Sequence, residues 1–234
     1  MTFIASATGS TGVAAQTVDT SGTLTIAAGD VLVCYVAGDY LNTSVTGVAE
    51  DDASNAFTLL TTSTRWWALT GSYLVSAGAS AGATIRATLA ANSNSDWGIV
   101  VLQFRPAPGE SVAYATHNLA DSAWGTNPTS GAVTTASTNS LFVGGATNDR
   151  SAMSNHLIAG AGTDGDVQFS WSGAYLDASY TVFASAQTSK TYATTASNGV
   201  WGADVIVIDI TIAGGVAPTA VLEGPLVGPL GGPI

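Results

Sequence analysis

The segment DVIVIDITI (204–212) sets Ile206, Ile208, Ile210 and Ile212 on one side of an extended chain, and Val205, Val207, Asp209 and Thr211 on the other. Alternation at a period of two is the signature of a strand, and it constrains this chain more than any other feature. It recurs in TIRATL (84–89), where Ile85, Ala87 and Leu89 alternate with Thr84, Arg86 and Thr88. Further strands are expected at LTIA (24–27), VLVCYVA (31–37), FTLLTT (57–62), WGIVVLQF (97–104), SLFVGGA (140–146), VQFSWS (167–172) and SYTVFASA (179–186). They are rich in Val, Ile, Thr and aromatics, which suit a pleated surface. The one Ala-rich stretch, SAGASAGAT (76–84), is broken by Gly78 and Gly82; glycine costs about 1 kcal/mol against alanine inside a helix. The expected fold class is all-β.

The two halves echo each other. SGTLTIAAGDVLVCYVAGD (21–39) lines up without gaps on SGAVTTASTNSLFVGGATN (130–148), and WGIVVLQF (97–104) on WGADVIVI (201–208). The second match sets Trp97 over Trp201, Leu102 over Ile206 and Phe104 over Ile208. Two such sets of strands with no long linker point to one double-layered sandwich, residues 21–213, rather than two domains. RPAPGES (105–111) reads as a loop inside it. Residues 1–20 read as an N-terminal strand or arm, and residues 214–234 as an extended C-terminal arm.

Only 9% of the residues are charged, against about 25% in ordinary domains, so solubility must rest on Thr, Ser, Asn, Gly and a net charge of −11. With five cations against 16 carboxylates, there is no basic stripe for phosphates, so neither nucleic acid nor an anionic membrane is an expected partner. The opening MTFIASATGSTG lacks the cationic start of a signal peptide. Apolar runs such as VLVCYVA fall far short of the ~20 residues of a membrane helix. Cys34 is the sole cysteine; set in an apolar strand, it reads as a core residue and excludes an intrachain disulfide. Folding in a reducing cytoplasm is expected.

Motifs for chemistry are weak. GASAG (78–82) matches the Gly-x-Ser-x-Gly elbow, but a chain this rich in Gly and Ser yields the pattern by chance, and Ser80 is followed by a strand where the elbow needs a helix. His117 and His156 both lie in Asn/Ala/Ser-rich contexts and are expected on surface loops. The acidic runs EDD (50–52), with Asn55, and DGD (164–166) offer oxygen ligands, so calcium is an alternative to no cofactor at all; acidic turns are also common for conformational reasons. No catalytic set emerges, and no enzyme is expected. Trp66, Trp67 and Trp124 are candidates for stacking against a glycan, whereas Trp97 and Trp201 read as core.

The order AAGDVLVCYVAGD, VTGVAEDDASNAFTLL, AGATIRATL, WGIVVLQF resembles a jelly-roll domain of tailed-bacteriophage virion proteins, also seen in some bacterial surface proteins. Asn55, Phe57 and Thr58 fit its middle element, whereas Ala53 and Ser54 depart from the usual Asp-x-x-Gly-Asn. The resemblance spans about residues 20–212. It implies a virion or surface protein and brings no catalytic residues.

The composition changes after the last strand. GGVAPTAVLEGPLVGPLGGPI (214–234) holds Pro218, Pro225, Pro229 and Pro233. Proline fixes φ and removes donors, so this stretch suits an extended, polyproline-like arm and neither a helix nor a central strand. Its apolar residues are costly to leave in water, at about 25 cal/mol per Å². Val221, Leu222, Pro225, Leu226, Val227, Pro229, Leu230, Pro233 and Ile234 are therefore the expected contacts with neighbouring subunits. The sequence suggests a capsid decoration or surface protein located on the virion, binding copies of itself and other structural proteins; the alternative is a glycan-binding module of a tail fibre or cell surface.

Overall fold

The computed structural model describes residues 1–11, 15–39, 43–51, 55–63, 67–92, 96–158, 161–171 and 174–212. Among these there is no helix, and every strand pairing is antiparallel. The first half carries β1 (Thr2–Thr11), β2 (Thr17–Asp19), β3 (Leu24–Ile26), β4 (Val31–Asp39) and β5 (Val45–Glu50). It continues with β6 (Thr58–Thr62), β7 (Trp67–Val75), β8 (Ser80–Ala83), β9 (Ile85–Leu89) and β10 (Trp97–Arg105). The second half carries β11 (Glu110–Gly125), β12 (Val133–Thr135), β13 (Ser140–Asn148), β14 (Ser154–Ile158) and β15 (Ala161–Gly162). It ends with β16 (Gly165–Trp171), β17 (Ala174–Phe183), β18 (Gln187–Lys190), β19 (Tyr192–Thr195) and β20 (Gly199–Ile212).

Each half builds one five-stranded sheet, in the orders β1-β10-β4-β7-β6 and β11-β20-β13-β17-β16. Small sheets cover the outer face of each: β2-β9-β5 and β3-β8 in the first half, β15-β14-β19 and β12-β18 in the second. The expected sandwich is thus built from four layers, with three cores between them. Leu32, Cys34, Val36, Trp97, Ile99 and Val101 fill the first, beneath the small sheets of the first half. Phe142, Ala146, Val205 and Val207 fill the corresponding core of the second half. Between the large sheets lies a seam in which Val31, Val33, Tyr35, Leu102 and Phe104 meet Leu141, Val143, Ile206, Ile208 and Ile210.

This layering explains why VLVCYVA reads as a continuous apolar run. Successive side chains point to opposite faces, and here both faces are buried. Residues 1–11 and 15–20 belong to the sandwich: β1 pairs with β10 as an edge strand, and β2 pairs with β9.

The echo extends to details invisible in the sequence. Both edge strands shift register at the same place, next to Phe3 in β1 and Tyr114 in β11. Phe3 pairs with Phe104, and Tyr114 with Ile208, its counterpart. Each of these aromatics then reaches across the seam. Phe3 stacks on Tyr180 at 5.0 Å, and Tyr114 on Tyr73 at 4.6 Å. Tyr73 pairs with Val33 and Tyr180 with Val143. The two halves are therefore related by an approximate two-fold axis, with β7 over β20 and β10 over β17.

The ungapped match of 21–39 on 130–148 needs one correction. It holds at β3 and β12, where Leu24 and Val133 both enter their own half's core. Beyond the following loop, Phe104 pairs with Val31 while Ile208 pairs with Leu141, so Val31 corresponds to Leu141 and not to Ser140. A slip of one residue turns a strand over, and the turn between β12 and β13 absorbs the extra residue.

Candidate functional site

The arm residues Val221, Leu222, Pro225, Leu226, Val227, Pro229, Leu230, Pro233 and Ile234 lie outside the described residues, as does Trp66. Trp67 is half-buried at the edge of the seam. Its ring stacks on Trp171 at 6.3 Å, and its Nε1–H donates to Thr147 Oγ1 at 2.8 Å. Both its face and its polar edge are engaged within the chain. Trp124 is different. At 54% exposure it stands near the end of β11, with the Arg150 guanidinium carbon 4.6 Å from its ring centroid. Trp97 is fully buried as expected, and Trp201 packs half-buried against the second half's own core.

The histidines depart from their expected surface loops. Both belong to strands, and both lie beside a buried carboxylate. His117, in β11, has Nδ1 3.3 Å from Asp204 Oδ1. Asp204 is fully buried in β20, and a side chain on Gly71 would strike its carboxylate. Burial pushes Asp204 up, against hydrogen bonds from His117 and from the backbone N–H groups of Val205 and Asn118. The bond to Asp204 raises His117 in turn. Both groups are held above their ordinary values.

His156, in β14, stands on the far side of the same large sheet. Its Nδ1 is 3.1 Å from the Tyr192 hydroxyl, and its Nε2 is 3.0 Å from the Gln168 amide nitrogen. Gln168 also donates to the Met153 carbonyl at 3.3 Å, which orients its amide with nitrogen toward the ring. The imidazole therefore accepts at Nε2 and donates from Nδ1. Asp177 Oδ2 lies 3.5 Å from Nε2, too long for a good hydrogen bond, and has no hydrogen-bond partner. Burial, aided by the charge of Asp166, pushes Asp177 up to about 8, while burial pushes His156 down. A neutral ring thus faces a carboxyl that tends to stay protonated.

These pairs do not assemble with Ser80. That residue lies in β8, in the outer layer of the first half, whereas both histidines belong to the second half and are bonded to partners there. The acidic turns make local structural bonds. Glu50 is buried and accepts from Asn55 Nδ2 at 3.0 Å, and Asp164 Oδ2 accepts from the Val182 N–H at 2.9 Å. Asp52 lies outside the described residues. Among the described residues, no group of three or more His, Cys, Asp or Glu gathers as a metal site.

Two further charged sites went unnoticed in the sequence. Asp30 is buried and receives Arg105 Nε at 2.7 Å and Nη2 at 2.8 Å, Gln103 Nε2 at 2.6 Å and the Ala27 N–H at 2.8 Å. Nearby, the Met1 ammonium lies 2.7 Å from Glu110 Oε2. A solitary carboxylate within an apolar strand, as at Asp177 and Asp204, was the available signal.

These observations define an all-β protein of stacked antiparallel sheets, in the manner of a β-sandwich. Compared with known protein families, curated proteins and solved structures, the chain matches none.

Proposed function

We propose that the protein is a structural virion component, a capsid decoration or surface protein related to the phage jelly-roll domains, which holds neighbouring subunits through residues 214–234 and has no catalytic activity. The observation that carries this reading is the arm's composition set against the fold. The three cores are assembled from strands that end at Ile212. The oily, proline-rich stretch follows a sandwich whose described strands already enclose three cores, and a stiff segment loses less entropy on docking than a flexible one. Copies of the chain and other structural proteins of the particle are the partners; nucleic acid and membrane are not.

Deleting 214–234 tests the reading. Mass photometry and co-sedimentation with purified particles should show a folded sandwich that no longer self-associates or joins the particle. Full incorporation of the shortened chain would overturn it. A second reading, a glycan-binding module, is favoured by exposed Trp124 alone. Saturable binding on a glycan array by a monomer, lost in Trp124→Ala, would select it instead.

A further inference from the structure

We propose that the apolar groove at one end of the seam is the seat for the arm of a second copy. This rests on the reading above and names the surface that the arm would grip. The groove has a volume of about 580 Å³ and is walled by Ala28, Val75, Pro106, Pro108 and Val112, with Arg105 at its side. It lies where the chain crosses from β10 to β11, against the turn between β3 and β4.

The groove suits an apolar occupant. Its charges cancel in pairs, Arg105 with Asp30 and the Met1 ammonium with Glu110. Its backbone offers few donors, because Pro106 and Pro108 have none and the Ala107 N–H is spent on Glu110 Oε2. Such a wall recognises side chains by packing and not by strand pairing, which matches an arm whose own prolines cannot form a ladder.

Position supplies the second argument. Ile212 pairs with Glu110 and Thr211 with Ser111, and both partners line the groove. The arm therefore departs from the groove's own rim. Its Pro-Leu repeats begin at Pro225, thirteen residues beyond Ile212, or about 40 Å at the 3.1 Å per residue of an extended proline-rich chain. If extended, an arm that starts at the rim would carry those repeats past its own groove, and a neighbour's groove would receive them without the chain doubling back.

Two variants of the full chain, each with one added cysteine, Ser111→Cys and Leu226→Cys, are mixed and treated with a flexible bis-maleimide. Cys34 stays silent because it is fully buried and burial pushes its thiol up to about 12. The expected product is a covalent dimer containing one of each variant, reduced at least tenfold when Val112→Asp is added to the Ser111→Cys chain. No mixed dimer, or one indifferent to Val112→Asp, overturns the seat. So does a cross-link within one chain of the double variant in place of the dimer, which would assign the groove to the chain's own arm. Loss of association on deleting 214–234 alongside an absent cross-link defeats only the groove. Association unchanged by that deletion defeats the broader reading.

Discussion

The ring of Tyr35 lies against the backbone of Gly145, where a β-carbon would fall 2.6 Å from three of its carbons, and its hydroxyl donates to the Val143 carbonyl at 2.8 Å. The two residues hold equivalent places in the two halves, since Tyr35 pairs with Val100 and Gly145 with Asp204. Near a two-fold axis equivalent side chains compete for one volume. Here one is large and the other absent.

Gly145→Val should therefore cost about 1–3 kcal/mol, the usual range for overpacking. Tyr35→Gly should cost more, about 3–5 kcal/mol, as a large buried aromatic is removed. The exchange Tyr35→Gly with Gly145→Tyr should lose clearly less than the sum of the two single changes, because neighbours in one packing site are not additive. Urea denaturation of the four chains measures this.

The equivalent stacks Phe3–Tyr180 and Tyr114–Tyr73 should each show a coupling of about 0.5–1.5 kcal/mol in double-mutant cycles to alanine. Crossed cycles, Phe3 with Tyr73 and Tyr114 with Tyr180, should be close to additive. Comparable coupling in the crossed cycles would contradict the pairing described.

Stability should depend on pH through Asp177 and His156, with opposite signs. Asp177 has its folded value raised to about 8 from an ordinary 3.8, so the folded state holds the extra proton. Its contribution is complete below about pH 4 and is lost as pH rises through 8. Asp177→Asn should remove this decline and raise stability relative to wild type at pH 8. His156 has its folded value lowered, so its contribution is present above its ordinary value of 6.5 and is lost on acidification. Unfolding midpoints between pH 4 and 9 for both Asp177→Asn and His156→Gln test the signs.

The Cys34 thiol should be inert in the folded protein, being fully buried, with ionisation pushed up to about 12 by burial. A disulfide reagent at pH 8 should label less than a tenth of the chains in native buffer and all of them in denaturant. Rapid labelling without denaturant would mean that the first half opens locally.

Where strands are buried on both faces they announce themselves in sequence, as at 31–37, 97–104 and 204–208. The edges do not. β1 (TFIASATGST) and β11 (ESVAYATHNLADSAWG) are dominated by small and polar residues, because an edge strand has one flank in water and only part of one face to fill. The polar sites were hidden for a related reason. His117 and His156 look like loop residues by their neighbours, and only the packing of distant strands sets them beside Asp204 and Asp177. The repeat was legible in outline. Its single-residue offset was not, because similar residue types occupy both faces of a doubly buried strand.

The crossing from β10 to β11 runs through Pro106, Ala107, Pro108 and Gly109, and Ala107 and Pro108 are exposed. Because so much of each half's broad sheet is hidden against the other, a protease cut at this crossing would not release two independent modules. The fragments would stay clasped, each serving as the template for the other. Neither alone would keep Val33, Phe104, Val143 and Ile208 out of water.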